Sequence, residues 1–203
     1  MGYFFQDLNN LHLPEHHQCW QVYVPQLIPD DIMDVVDEYV IDREMETAGV
    51  VGGASADVRR TQICWLQDGD CKDELLPVYN YVSKLVRSIN DDVWNYSIKG
   101  WEAFQYGVYD EEYLGHYDWH MDISARQIEG LQRKISFSIG LTDKDSYEGG
   151  DLDFMQGSDS EYSFKLGRGD IVVFPSFLLH RVTPVTSGCR KSLVGWGLGP
   201  NFV

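Results

Sequence analysis

Basic residues are scarce. Lysine and arginine number 16 against 32 aspartate and glutamate, and the net charge is −16 over 203 residues. Binding to a phosphate backbone rests on Lys and Arg neutralising phosphates, so this balance argues against a nucleic-acid partner. It fits a chain kept soluble by its own charge, or one with a basic partner. Long apolar runs are missing too: none approaches the roughly 20 residues that span a bilayer, and no membrane association is expected. The opening "MGYFFQDLNNLHLPEHHQ" has neither a basic stretch nor an apolar core, so no secretory signal is read there, and Gly2 is not followed by a myristoylation pattern. Cysteine is sparse. Cys19, Cys64, Cys71 and Cys189 form no C-x-x-C pair, which points to reduced thiols and a cytoplasmic setting, while the acidic single-domain form suits a protein of a bacterium or a phage-infected cell. Repeats, linkers and low-complexity segments are also absent. Nothing in the pattern sets an oligomeric state.

What is present suits one folded domain, 1–203, with a helical N-terminal part over 1–97 and a β core over 98–203. Apolar content is 43% and charged content 24%, ordinary for a globular chain. "VYV" at 22–24 reads as a strand. Pro29-Asp30 starts a helix carrying Ile32, Val35, Val36, Tyr39 and Val40 at helical spacing. "AGVVGGASADV" reads as a loop and "RRTQICWL" as a strand. A second amphipathic helix has apolar residues at 75, 78, 82, 85, 86 and 89, with Pro77 tolerable only in its first turn. From residue 98 onward short β-branched and aromatic runs alternate with Gly and Asp turns. That spacing predicts an antiparallel sandwich or barrel with the two helices packed outside.

One stretch, "YLGHYDWHMD" at 113–122, holds His-x-Asp twice, as His116-Tyr117-Asp118 and His120-Met121-Asp122. Residues i and i+2 of a strand share a face, so either pair could grip a cation from one side. Two histidines and one carboxylate on one face leave open positions, the facial triad of non-haem Fe(II) oxygenases. His180, ending the apolar run "FPSFLLH", is the candidate third ligand. Ten residues further on is Arg190, in "GCRKSLVGW", whose planar fork of donors matches a carboxylate. Leu193, Val194 and Trp196 around it argue for a buried strand rather than a surface cation.

These features together resemble the 2-oxoglutarate- and Fe(II)-dependent dioxygenases, in the branch of prolyl 4-hydroxylase-like proteins and related bacterial and phage hydroxylases. The resemblance covers about residues 99–199 and is carried by "YDWHMD", "RKISFSIGLTD", "YEGGDLDF" and "LGRGDIVVFPSFLLHRVTPVTSGCRKSLVGW". It implies a double-stranded β-helix, a jelly-roll form, of the mostly-β α+β class. It implies Fe(II), 2-oxoglutarate and O2, with ascorbate as a further helper. Both His-x-Asp frames have an aromatic residue three positions before the histidine. "YDWHMD" is similar to the Tyr-x-Trp-His-x-Asp form of the bacterial and phage branch, so His120, Asp122 and His180 are taken as the ligands over His116, Asp118 and His180. Arg190 would pair with the far carboxylate of 2-oxoglutarate. Tyr109, rather than Tyr106, would support it, and Ser136 and Ser138 either line the pocket or edge the core.

The implied activity is hydroxylation of a peptidyl substrate, prolyl as the first guess, with 2-oxoglutarate decarboxylated to succinate. A free amino acid or a small metabolite is the alternative, and a non-catalytic cupin-like module is a third reading. Nucleic-acid demethylases of the same fold usually carry a second arginine six residues after the cosubstrate arginine; here that position is Trp196. Residues 123–132 lack periodicity and are expected to form a mobile loop over the site, with Arg126 and Glu129 as candidate substrate contacts.

Overall fold

The computed structural model describes residues 20–48, 57–66, 74–123, 130–156 and 160–202. Helix α1 (Asp30–Val40) follows an extended Pro29 and places Asp30 and Asp31 in its first turn, where carboxylates face the free N–H groups. Helix α2 (Leu76–Val93) has Pro77 in its first turn and buries Val78, Val82, Leu85, Val86 and Ile89, the stripe its periodicity predicts. No helix among the described residues is long and apolar enough to cross a membrane.

The first half of the chain supplies strands β1 (Val22–Val24), β2 (Glu46–Thr47), β3 (Arg59–Arg60) and β4 (Gln62–Leu66). The second half supplies β5 (Gly100–Trp101), β6 (Phe104–Asp110), β7 (His116–His120), β8 (Gln132–Gly140), β9 (Tyr147–Gly149), β10 (Leu152–Gln156), β11 (Ser160–Phe164), β12 (Ile171–Pro175), β13 (His180–Val182) and β14 (Val185–Gly199). They form two antiparallel sheets. The larger runs β1-β12-β8-β14-β6-β4-β2, with β5 and β9 also paired to β14; the smaller runs β11-β10-β13-β7-β3. This is the expected jelly roll, with strands of the first half built into both sheets.

Two sequence expectations change in detail. "RRTQICWL" is not one strand. It breaks at Thr61, so that Arg59-Arg60 pair with β7 in the small sheet and Gln62–Leu66 with β6 in the large one. The segment expected as a loop to residue 132 ends sooner, because Gln132 already pairs with Gly199. Arg126 and Glu129, and most of "AGVVGGASADV", lie outside the described residues.

Period-two alternation sorts the large sheet into two faces. Ile135, Phe137, Ile139, Ile171, Val173 and Leu193 join the helix residues in one core. Val172 and Phe174 turn inward to meet Leu152, Phe154 and Val182 of the small sheet in a second core. The helices therefore cover one face of the large sheet, and the space between the sheets is left for a site.

Two polar devices lock this arrangement. The "GRGD" turn before β12 holds the N-terminal strand: Asp170, 4% exposed, accepts from the Tyr23 hydroxyl at 2.9 Å, the Gln26 N–H at 2.9 Å and the Gly167 N–H at 2.8 Å. Gly169, at φ +87°, supplies the left-handed turn, and its carbonyl accepts from Leu27 and Ile28. In the small sheet, Ser163 Oγ and Arg181 Nε donate to the two oxygens of Asp153 at 2.7 and 2.8 Å, and the Arg181 guanidinium lies 4.6 Å over the Trp119 ring. That chain of contacts crosses β11, β10, β13 and β7.

Burial, and then the hydrogen bond to the Asp170 carboxylate, pushes the Tyr23 hydroxyl up to about 12 from an ordinary 10.0. The folded state thus holds this proton more tightly than the unfolded chain. Its contribution to stability is complete below pH 10 and is lost as the pH rises through about 12. Thermal melts across a pH series should show wild type ahead of Tyr23→Phe by a constant gap below pH 10, closing above it. A gap that does not change with pH would uncouple the hydroxyl from Asp170. Replacing Arg181 by Leu leaves the buried Asp153 carboxylate without its cation. Urea unfolding should report a loss of about 3 kcal/mol.

Candidate metal centre

The centre is built where β7 and β13 run side by side. His120, the last residue of β7, pairs with His180, the first of β13. Tyr117 pairs with Val182, so three steps along β7 match two along β13. The extra residue is a β-bulge, and it changes which side chains share a face. In a regular strand His116, Asp118 and His120 would all point one way. With the bulge, Tyr117 turns inward and stacks on His120, with ring centroids 3.5 Å apart and planes 12° from parallel.

The first His-x-Asp frame is thereby turned out of the site. His116 places Nδ1 2.8 Å from the Leu114 carbonyl and Nε2 3.1 Å from the Asp57 carbonyl. Asp118 is exposed and accepts from the Trp119 N–H at 2.8 Å. The second frame is turned in. Asp122 lies just beyond the end of β7, with its side chain 10% exposed. The ligand atoms of His120, Asp122 and His180 lie within 4.8 Å of one another.

The tautomers follow from the hydrogen bonds. Nδ1 of His120 is 2.8 Å from the Asp118 carbonyl, and Nδ1 of His180 is 2.8 Å from the Leu178 carbonyl. A carbonyl only accepts, so each Nδ1 carries the proton and each Nε2 keeps its lone pair. Those two lone pairs face the Asp122 carboxylate from 3.8 and 3.6 Å, too far for direct hydrogen bonds. Three acceptors converging on one space repel each other unless a cation sits among them. The donor set of two imidazoles and one carboxylate fits Fe(II).

Protonation states favour the same use. Burial, reinforced by neighbouring His180, pulls His120 down to about 3, so it is neutral at physiological pH. Burial by itself would raise the Asp122 carboxyl, but its surroundings, with the Arg133 cation and a hydrogen bond from Ser136, hold it below the usual range. A neutral imidazole and an ionised carboxylate are the forms that ligate.

Behind these residues a cavity of about 230 Å³ opens between the sheets. Arg190, 2% exposed, stands on β14 opposite Tyr109 of β6, its guanidinium 5.0 Å from the Tyr109 ring centroid. It donates to Ser192 Oγ at 3.2 Å. No carboxylate forms an ion pair with it among the described residues. Tyr106 is three residues from Tyr109, an odd step, so it faces the helices and belongs to the other core. Ser138 lines the cavity; Ser136 lies deeper, against Asp122 and 2.9 Å from Ser176 Oγ.

Sequence reasoning passed over two further cations of the cavity wall. Arg133 is gripped by both oxygens of Glu102, at 2.8 and 2.5 Å, and lies 3.7 Å over the Trp196 ring. A second register slip, between Gly197 and Leu198, brings it onto the inner face. Arg59 donates to Gln105 Oε1 at 2.8 Å and lies 4.5 Å over the Tyr117 ring. The doubled arginine of "RRTQICWL" was the available signal, but only the break at Thr61 shows that this end of the stretch joins the small sheet.

Comparison with known proteins agrees with this architecture. The profile of the 2OG-Fe(II) oxygenase superfamily matches residues 104–197. A PKHD-type hydroxylase from Synechococcus sp. (strain CC9311) is 40% identical over 126 residues, 58% of this chain and 56% of that protein. One from Idiomarina loihiensis is 43% identical over 81 residues, 40% of this chain and 36% of that protein. The matches thus span between about a third and just over half of these relatives' length. Among solved structures, a Pseudomonas putida prolyl-4-hydroxylase superposes with a TM-score of 0.72 at 20% identity, covering 96% of this chain and 98% of that one. A Trichoplax adhaerens prolyl hydroxylase, in complex with a hypoxia inducible factor peptide fragment, gives 0.70 at 15% identity, with coverage of 97% and 89%. Such identities speak for the fold; the profile match takes in Tyr109, His120, Asp122, His180 and Arg190, so the part of the chain that builds this centre is the part similar to the 2OG-Fe(II) oxygenase superfamily.

Proposed function

We propose that the chain, as one domain over 1–203, is an Fe(II)- and 2-oxoglutarate-dependent dioxygenase that hydroxylates a peptidyl substrate, prolyl as in the names of its structural neighbours. The observation that carries this reading is the convergence of two Nε2 lone pairs and one carboxylate beside a cavity whose buried Arg190 lacks an anionic partner among the described residues. His120, Asp122 and His180 hold the metal. Arg190 pairs with the C5 carboxylate of 2-oxoglutarate, with Tyr109 packed against the guanidinium. Once bound, Fe(II) and 2-oxoglutarate together activate O2 for hydroxylation, with the cosubstrate decarboxylated to succinate.

The protein's own part is to orient and to exclude water. The Asp118 and Leu178 carbonyls fix both imidazoles in the ligating tautomer. Tyr117 stacks on His120 and limits its rotation. Phe154 and Phe174 lie 5.8 and 4.7 Å from the His180 ring and keep that side dry. Cys64 and Cys189 are free thiols, which suits a reducing cytoplasm.

An anaerobic titration of Fe(II) and 2-oxoglutarate, followed by the visible metal-to-cosubstrate charge-transfer band, tests the assignment. The band is expected in wild type and in His116→Ala, and absent in His120→Ala. Loss in His116→Ala alone would overturn the ligand set.

A further inference from the structure

The cavity wall presents three guanidinium groups, and their partners differ. Arg133 is neutralised by the bidentate grip of Glu102. Arg190, under the reading above, is matched by the cosubstrate. Arg59 is left over. Its Nη2 donates to a neutral amide, Gln105 Oε1, and no carboxylate among the described residues forms an ion pair with it. Its Nε is buried and donates to nothing. The guanidinium is held flat on Tyr117, which is itself stacked on His120, so the cation stands two layers from a proposed metal ligand.

A desolvated guanidinium donor without an acceptor is costly, and a fork of donors is best satisfied by a carboxylate. A neutral carbonyl could occupy Nε but would leave the charge unmatched. We infer that Arg59 forms a substrate subsite for a carboxylate, carried close to the carbon that is hydroxylated. Gln105 fixes the orientation of the fork through the Nη2 bond. This inference rests on the oxygenase reading and narrows its substrate class. The carboxylate has two possible sources: the C-terminal end of a peptide or free amino acid, or an acidic side chain beside the target residue. The chain's net charge of −16 does not draw anions from a distance, so the recognition is local.

The test uses the full chain loaded anaerobically with Fe(II) and 2-oxoglutarate, reading probe binding from perturbation of the charge-transfer band. One arm compares a short peptide ending in proline as the free acid with its C-terminal amide. The other compares a capped peptide with internal Glu-Pro against Gln-Pro. In wild type the acid form should bind about tenfold tighter in one arm, which also names the source. Arg59→Gln should keep the band and lose that preference. Arg59→Lys, which keeps the charge, should retain most of it and guards against a folding defect. Equal affinities in both arms, no binding of any probe, or a preference that survives Arg59→Gln would overturn the subsite. Loss of the band in both Arg59 variants would make Arg59 a cosubstrate ligand instead. A wild type without the band would overturn the oxygenase reading and this inference with it.

Discussion

The antiparallel pairing of β7 with β13 is the contact on which the rest depends. It sets His120 opposite His180, and its bulge decides which of two neighbouring His-x-Asp pairs looks into the cavity. A regular ladder would have shown His116, Asp118 and His120 to the same side. One extra residue on β7 removes the first two and adds Tyr117, which then stacks on His120 and carries Arg59 on its other face. The Ser163–Asp153–Arg181–Trp119 contacts on the same sheet tie four strands together around this register.

The electrostatics of the cavity run against those of the whole chain. Over the whole chain acidic residues outnumber basic ones two to one. Inside, three arginines line a cavity with a single carboxylate, Asp122, in its wall. Burial gives each of these charges more weight than any surface charge, because little water is present to screen it. The three arginines are separated by their surroundings: Arg133 is paired within the protein, Arg190 is deeply buried on β14, and Arg59 lies on Tyr117 with a bare Nε. The charge of the cavity wall is thus opposite in sign to the net charge of the chain.

Much of the fold was legible beforehand because it rests on local pattern. The stripe on α2, the Pro-initiated start of α1 and the alternating runs after residue 98 depend on neighbours in sequence, and each forms where its periodicity places it. The break at Thr61 was not legible, since nothing in "RRTQICWL" marks where one strand leaves its sheet for the other. Tyr109 and Tyr106 could be separated only once β6 was seen to run unbroken between them, which places them on opposite faces.

The sequence by itself determined the residue types of the candidate site, their order along the chain, and the resemblance they carry. Those depend on identity and spacing, which a linear chain states outright. Only the tertiary structure decided which His-x-Asp pair faces inward, which ring nitrogen keeps its lone pair, and which of the cavity arginines is paired with a carboxylate. Each of these hangs on a register slip or a hydrogen bond between segments far apart in sequence: the bulge of β7 against β13, the slip of β8 against β14 that turns Arg133 inward, and the pairing of β3 with β7 that brings Arg59 to Tyr117. Register is set by the sum of cross-strand contacts, and no single strand contains that information.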